Sequence, residues 1–315
     1  MSEFAGEPLM IYVPGLKPKP EPSAHRRELL RCLTEGVRRI DPESAVEMQE
    51  HEHCFDIIGW TYDFYGEHRD LKLDLAAIDA LIEQRSPSDR DRAEAGSLKR
   101  RLVRWIYALT DLFPFLMHPL ADENLEIHLR DLRRYIKNEF DIAEFLRKLL
   151  KMPLRSAWKS ERPILLIGHS MGSIIAYDAL WQLSQKPGDE SKVDLFLTMG
   201  SPLGQRFIQR RILGFREAPG NRYPGNIRRW VNIAAVGELT AIDMVLSNDF
   251  SEMIRLGQVE SIEDREIYNY FRLNGELNVH AEYGYLINEV TAAYISEWWR
   301  NSRRQSRLKP RPDSV

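Results

Sequence analysis

Apolar positions along this chain follow two rhythms that alternate. One is a set of short, mostly apolar runs: Leu9–Val13, Phe55–Trp60, Ile164–Ile167, Val193–Thr198 and Trp230–Val236. Runs of this length, rich in branched and aromatic side chains, predict strands buried on both faces. Between them the spacing changes to three and four. Leu29, Leu30, Leu33, Val37 and Ile40 predict a helix, with Ser23 as its expected N-cap. Ile174, Ile175, Ala176, Ala179, Leu180 and Leu183 predict another. Strand and helix in alternation imply an α/β fold: a mostly parallel sheet with helices on both faces. Each strand-like run ends in small or polar residues, at the carboxyl edge where open sheets of this kind place their sites.

The stretch from Tyr62 to Pro163 is too long for a single crossover. Asp70–Leu81 and Leu125–Leu150 read as helices, and Arg85–Gly96 reads as an exposed charged loop. Leu98–Leu120 is strongly apolar (Leu102, Val103, Trp105, Ile106, Leu109 and Phe113 among others), with Pro114 expected to kink or end it. We therefore expect a helical insertion over about residues 64–160, forming a cap on an otherwise single domain. Beyond Trp299 the chain carries Arg300, Arg303, Arg304, Arg307, Lys309 and Arg311. Residues 300–315 read as a short basic tail without fixed structure.

Composition narrows the class. The 315 residues are 43% hydrophobic, enough for a sizeable core. Basic and acidic residues nearly cancel, 44 against 47, which leaves no general footprint for nucleic acid. Cys32 and Cys54 fall on different expected elements and suggest small core residues in a reducing compartment, not a disulfide framework. The N-terminus is acidic, unlike a secretory signal, and no window approaches the apolar length of a membrane span. The expected setting is cytoplasmic, with peripheral membrane contact open to the apolar insert or the basic tail.

Candidate chemistry centres on Gly168-His169-Ser170-Met171-Gly172, between a four-residue aliphatic strand and a periodic helix. G-x-S-x-G alone arises by chance in roughly one chain in ten of this length. Its position is what carries weight: strand, sharp turn, helix, with a serine at the apex and glycines where the turn needs them. A serine hydroxyl requires a base, and the base an orienting acid. Downstream of Ser170 there is one histidine, His280, just before a helix with Tyr285, Leu286, Val290, Ala293, Ile295 and Trp298. The acid should follow the Trp230–Val236 strand. Glu238, two residues past it, is preferred, with Asp243 as the alternative. For an oxyanion hole, the N–H of Met171 follows the nucleophile, and Leu16, after Gly15 in the loop beyond the first strand, offers the second.

These residues resemble the lipase and esterase branch of the α/β-hydrolases. Val13-Pro14-Gly15-Leu16, Gly168-His169-Ser170-Met171-Gly172-Ser173 with Ala176-Tyr177-Asp178, Met199-Gly200-Ser201-Pro202-Leu203, Trp230-Val231-Asn232 and Asn278-Val279-His280 carry the resemblance. It spans the sheet and its edges, not residues 64–160. Members usually have His where Pro14 stands and Asp where Glu238 stands. The resemblance implies hydrolysis of a small-molecule or lipidic ester through an acyl-enzyme, without a cofactor; a thioesterase or peptidase would use the same parts.

Other candidates are weaker. His51-Glu52-His53-Cys54 lacks an evident third ligand, so no metal is expected. His118 and His128 fall in the insertion as surface or cap residues. Gly200 to Gly204 reads as a pocket-lining loop. A different class of function stays open: a catalytically weak hydrolase fold whose apolar insert binds a protein or a membrane.

Overall fold

The computed structural model describes residues 4–97, 100, 123–185, 188, 190–238 and 245–308. Six strands form one fully parallel sheet: β1 (Leu9–Val13), β2 (Phe55–Ile57), β3 (Ile164–His169), β4 (Val193–Met199), β5 (Ile227–Ala235) and β6 (Ser261–Ile267). Their order across the sheet is β2-β1-β3-β4-β5-β6. A small antiparallel hairpin, β7 (Arg272–Leu273) with β8 (Glu276–Leu277), stands apart.

The apolar runs make sense once both faces of the sheet are covered. Met10, Tyr12, Leu165, Ile167, Leu195 and Leu197 point into one core with Leu29, Leu33 and Val37 of helix Pro22–Ile40 and Ile295 and Trp299 of helix Glu289–Leu308. The intervening Ile11, Val13, Ile164, Leu166 and Phe196 point into the other, against Leu146, Leu150 and Leu154 of helix Ile142–Lys159 and Ile174, Ala179 and Leu180 of helix Met171–Ser184. Successive strand residues alternate between faces, so two buried faces erase the polar half of the pattern.

The chain leaves β1 for β2 on one side and then returns to lay β3 on the other. The connections from β1 and from β3 thus diverge at their carboxyl ends, opening a crevice between them. The loop Pro14-Gly15-Leu16 and the turn at Ser170 both lie at this point.

Several local expectations change. Glu21, not Ser23, caps the first long helix: its carboxylate accepts from the backbone N–H of Ser23 and Ala24. The Phe55–Trp60 strand stops at Ile57, and the fifth strand begins three residues earlier, at Ile227. The charged Arg85–Gly96 stretch is not all loop, because Ser88 and Asp91 form a reciprocal cap that starts helix Asp89–Ala95. The expected helix after His280 is two, Glu282–Leu286 and Glu289–Leu308. The second continues to Leu308, so Arg300 and Arg303 are not frayed; they meet Asp41 at 3.2 Å and Glu47 at 3.9 Å. Strand β6 escaped notice because Glu263, Asp264, Arg265 and Glu266 dominate it, as suits the edge of a sheet.

Within the expected insertion, helix Lys72–Glu83 buries Ile78 and Leu81, and helix Ile142–Lys159 covers a sheet face directly. Both belong to the main body and not to a cap. The apolar stretch with Leu102, Trp105 and Phe113 lies outside the described residues, as do Lys309 and Arg311. Among the described residues, no helix is long and apolar enough to cross a membrane.

Candidate active site

Ser170 joins β3 to helix Met171–Ser184 with φ 52° and ψ −125°. This is a region that a residue with a Cβ occupies only at a cost of about 1–3 kcal/mol, and such strain concentrates at functional turns. Two glycines permit the turn. A Cβ on Gly172 would come 2.0 Å from the Val13 carbonyl oxygen, and one on Gly168 would come 2.7 Å from Ser173 Cα. Helix and strand ends therefore touch backbone to backbone. Ser170 N–H donates to the Met199 carbonyl at 2.9 Å and Ser173 Oγ donates to the Gly168 carbonyl at 3.0 Å, which ties the turn to β4 and to itself. Met171, buried, begins the helix, with its N–H among the unpaired donors of a first turn.

The loop after β1 presses on this turn. A Cβ on Gly15 would lie 2.8 Å from Ser170 Cβ and 3.1 Å from His169 Nδ1. The loop is held on both sides: Trp60 Nε1–H donates to the Pro14 carbonyl at 2.9 Å, and Lys17 N–H donates to Tyr65 Oη at 3.0 Å. Leu16, half-buried, sits between these two anchors.

His280 and Glu238 meet from loops 42 residues apart, with Nδ1 and Oε2 at 2.7 Å. Glu238 is enclosed at 1% exposure, one turn beyond β5. An ionised carboxylate only accepts, so Nδ1 carries the proton and the lone pair of the neutral ring is on Nε2. Gly200, at φ 55°, passes beneath the ring; a Cβ there would lie 3.0 Å from His280 Nδ1. His169, next to the serine, packs at a tilt against His280 with centroids 4.8 Å apart, and its Nε2–H donates to the His280 carbonyl at 2.9 Å. Burial above all pushes the His169 pKa down to about 3, so this ring is neutral at ordinary pH.

The structure thus brings Glu238 directly onto His280, Gly15 onto Ser170, and the serine's neighbour onto the base-bearing loop. Asp243 lies outside the described residues. Sequence reasoning missed Tyr285, whose hydroxyl donates to Glu238 Oε2 at 3.2 Å, and the supporting part of His169. It counted Tyr285 as an apolar helix residue, and nothing in its spacing marks the hydroxyl.

At the opposite, amino edge of the sheet, His53 and Cys54 do acquire a third donor. Glu7 Oε2 lies 2.6 Å from His53 Nε2 and 3.8 Å from Cys54 Sγ. The observed interaction is a His–Glu hydrogen bond, and burial pushes the Cys54 thiol up to about 11, away from the thiolate a metal would take. Cys32 and Cys54 are both buried and free. His128 lies on helix Glu123–Ile136, and His118 is outside the described residues.

Comparison with protein-family models, with curated proteins and with solved structures gave no match.

Proposed function

We propose that this chain is a serine hydrolase of carboxylic esters, of the α/β-hydrolase type. The observation that carries this reading is the buried Glu238 carboxylate 2.7 Å from His280 Nδ1, together with Ser170, held at positive φ on a strand-to-helix turn, whose neighbour His169 packs on His280. Its chain order, serine then acid then histidine, is that of the hydrolase arrangement.

In this reading Ser170 Oγ attacks the ester carbonyl carbon while its proton passes to His280 Nε2. The carbonyl electron pair moves to oxygen, and the Met171 and Leu16 N–H groups receive the oxyanion. Collapse breaks the bond to the alkoxy group, which leaves as an alcohol with the proton from Nε2. Water then gives a proton to Nε2 and attacks the acyl carbon, and Ser170 regains its proton as the acid departs. Glu238 stays ionised, holding the ring's tautomer and offsetting the imidazolium charge.

The substrates in this proposal are lipidic or acyl-chain esters, suggested only by the apolar sequence of residues 98–120. A cytoplasmic setting is part of the proposal, supported by two buried thiols without a disulfide. A silent binding module would leave the strained serine and its oriented histidine unexplained. Labelling with a fluorophosphonate probe tests the reading: wild type should label and Ser170→Ala should not. Equal labelling of the two, or none of the wild type, would overturn it.

A further inference from the structure

Two residues beyond His280, at the start of helix Glu282–Leu286, stands a second carboxylate that the reaction above does not use. Glu282 is 5% exposed. Its Oε1 accepts from Lys19 Nζ and from His25 Nε2, both at 2.9 Å. Its Oε2 accepts from Tyr12 Oη at 2.8 Å and lies 3.8 Å from His169 Nδ1. Burial works against the charge, yet Lys19 and then His25 hold the carboxyl well below its ordinary range.

The three hydrogen-bond partners come from different elements near the crevice: Tyr12 from β1, Lys19 from the loop three residues past Leu16, and His25 from helix Pro22–Ile40. The base-bearing loop is anchored through its own carbonyls as well: His169 Nε2–H bonds the His280 carbonyl, and Asn269 Nδ2–H bonds that of Ala281 at 2.8 Å. A buried ion pair is weak evidence for stability, since apolar residues of similar volume often serve as well. What such a group supplies is fixed geometry, and an oxyanion site works only when its donors are held within about 0.5 Å of the needed position.

We propose that Glu282 is a positioning residue that locks the oxyanion loop to the base-bearing loop, acting through Lys19, with Tyr12 and His25 fixing the carboxylate between the two loops. This inference rests on the hydrolase reading. Glu282 does not touch the ester; it sets where the Leu16 N–H and His280 stand relative to Ser170.

The test compares wild type, Glu282→Gln, Lys19→Met and the double variant in turnover of p-nitrophenyl acetate and in fluorophosphonate labelling rate. Asp41→Asn serves as a control, because Asp41 binds Ser44, Ser296 and Arg300 at the far end of helix Pro22–Ile40. Misplaced donors lower kcat with little change in KM. Glu282→Gln should lose about tenfold to a hundredfold in kcat, with KM within about twofold, and Lys19→Met less. The double variant should be no worse than Glu282→Gln, since both cut one linkage. Asp41→Asn should lower Tm and keep kcat. If Glu282→Gln does not fold, Lys19→Met decides. Wild-type kcat in either folded variant overturns the proposal, as does an equal fall in Asp41→Asn at equal loss of Tm. If Ser170 labels normally and Glu282→Gln labels as fast as wild type, the hydrolase reading stands and this inference fails. No labelling of the wild type overturns both.

Discussion

Tyr285 donates its phenolic hydrogen to Glu238 Oε2, the same oxygen that receives Nδ1–H of His280, and its own oxygen accepts from the Ala235 N–H at 3.0 Å. One hydroxyl therefore links the end of β5 to the carboxylate of the candidate triad. The acid is held by a neutral donor, and its charge remains directed at the histidine. Tyr285→Phe should keep the ring in the core but leave the buried Ala235 N–H unpaired, a cost of about 1–3 kcal/mol. We expect a lower Tm and a fall in kcat of several-fold, much smaller than the fall on losing Glu238. Thermal melts and ester turnover check both parts. Unchanged turnover would show that Glu238 needs no second donor.

Glu238→Gln keeps the volume and removes the charge that stabilises the imidazolium, so turnover of a short p-nitrophenyl ester should drop by about two to four orders of magnitude. Asp243→Asn should cost much less. If the losses appear in the reverse order, Asp243 is the acid and the Glu238–His280 contact is structural.

Much of this arrangement is legible in the residues themselves. The runs Leu9–Val13, Ile164–Ile167 and Val193–Thr198 announce β1, β3 and β4 because two buried faces demand continuous apolar side chains. Gly168 and Gly172 mark the turn around Ser170 because a Cβ on either would come 2.7 or 2.0 Å from neighbouring backbone. His280 and Glu238 follow from chain order. What stayed hidden depends on partners far away in sequence. Glu282 accepts from Tyr12, 270 residues earlier, and His169 finds its acceptor 111 residues later. No periodicity encodes such pairings. Local competition hid the rest: Glu21 displaces Ser23 as cap because its carboxylate reaches two N–H groups, and edge charges disguise β6.

Gly172 gives a stability prediction. The Val13 carbonyl stands where its Cβ would go, and a backbone oxygen has no rotamer by which to retreat. Gly172→Ala must push helix Met171–Ser184 away from β1, so we expect a loss of about 3 kcal/mol or more, at the upper end for single substitutions. Gly220→Ala meets nothing within 4 Å and should melt close to wild type. Equal melting of the two would mean that the helix start adjusts freely.

His169 gives a pH dependence. Its pKa is about 3 in the folded protein, against 6.5 for a free imidazole. Between those values the unfolded chain binds the extra proton, so this residue's contribution to stability is fully present above pH 6.5 and is lost as pH falls toward 3. His169→Gln removes that slope. Across pH 7 to about 4, wild-type Tm should decline more steeply than that of the variant. Parallel declines would mean that His169 protonates in the folded state as readily as in the unfolded one.

The last prediction concerns whether Ser170 and His280 act as one unit. If His280 Nε2 takes the serine proton, each residue is useless without the other, and each single alanine substitution should remove nearly all turnover of a short p-nitrophenyl ester. Ser170→Ala with His280→Ala should then lose little more than either alone, because the residual rate comes from binding and the oxyanion donors. Independent residues would instead show losses that multiply. Measuring kcat/KM for the four proteins under one set of conditions separates the cases. Multiplying losses would mean that Glu238 orients His280 for some purpose other than activating Ser170, and the acyl-enzyme route would fail with it.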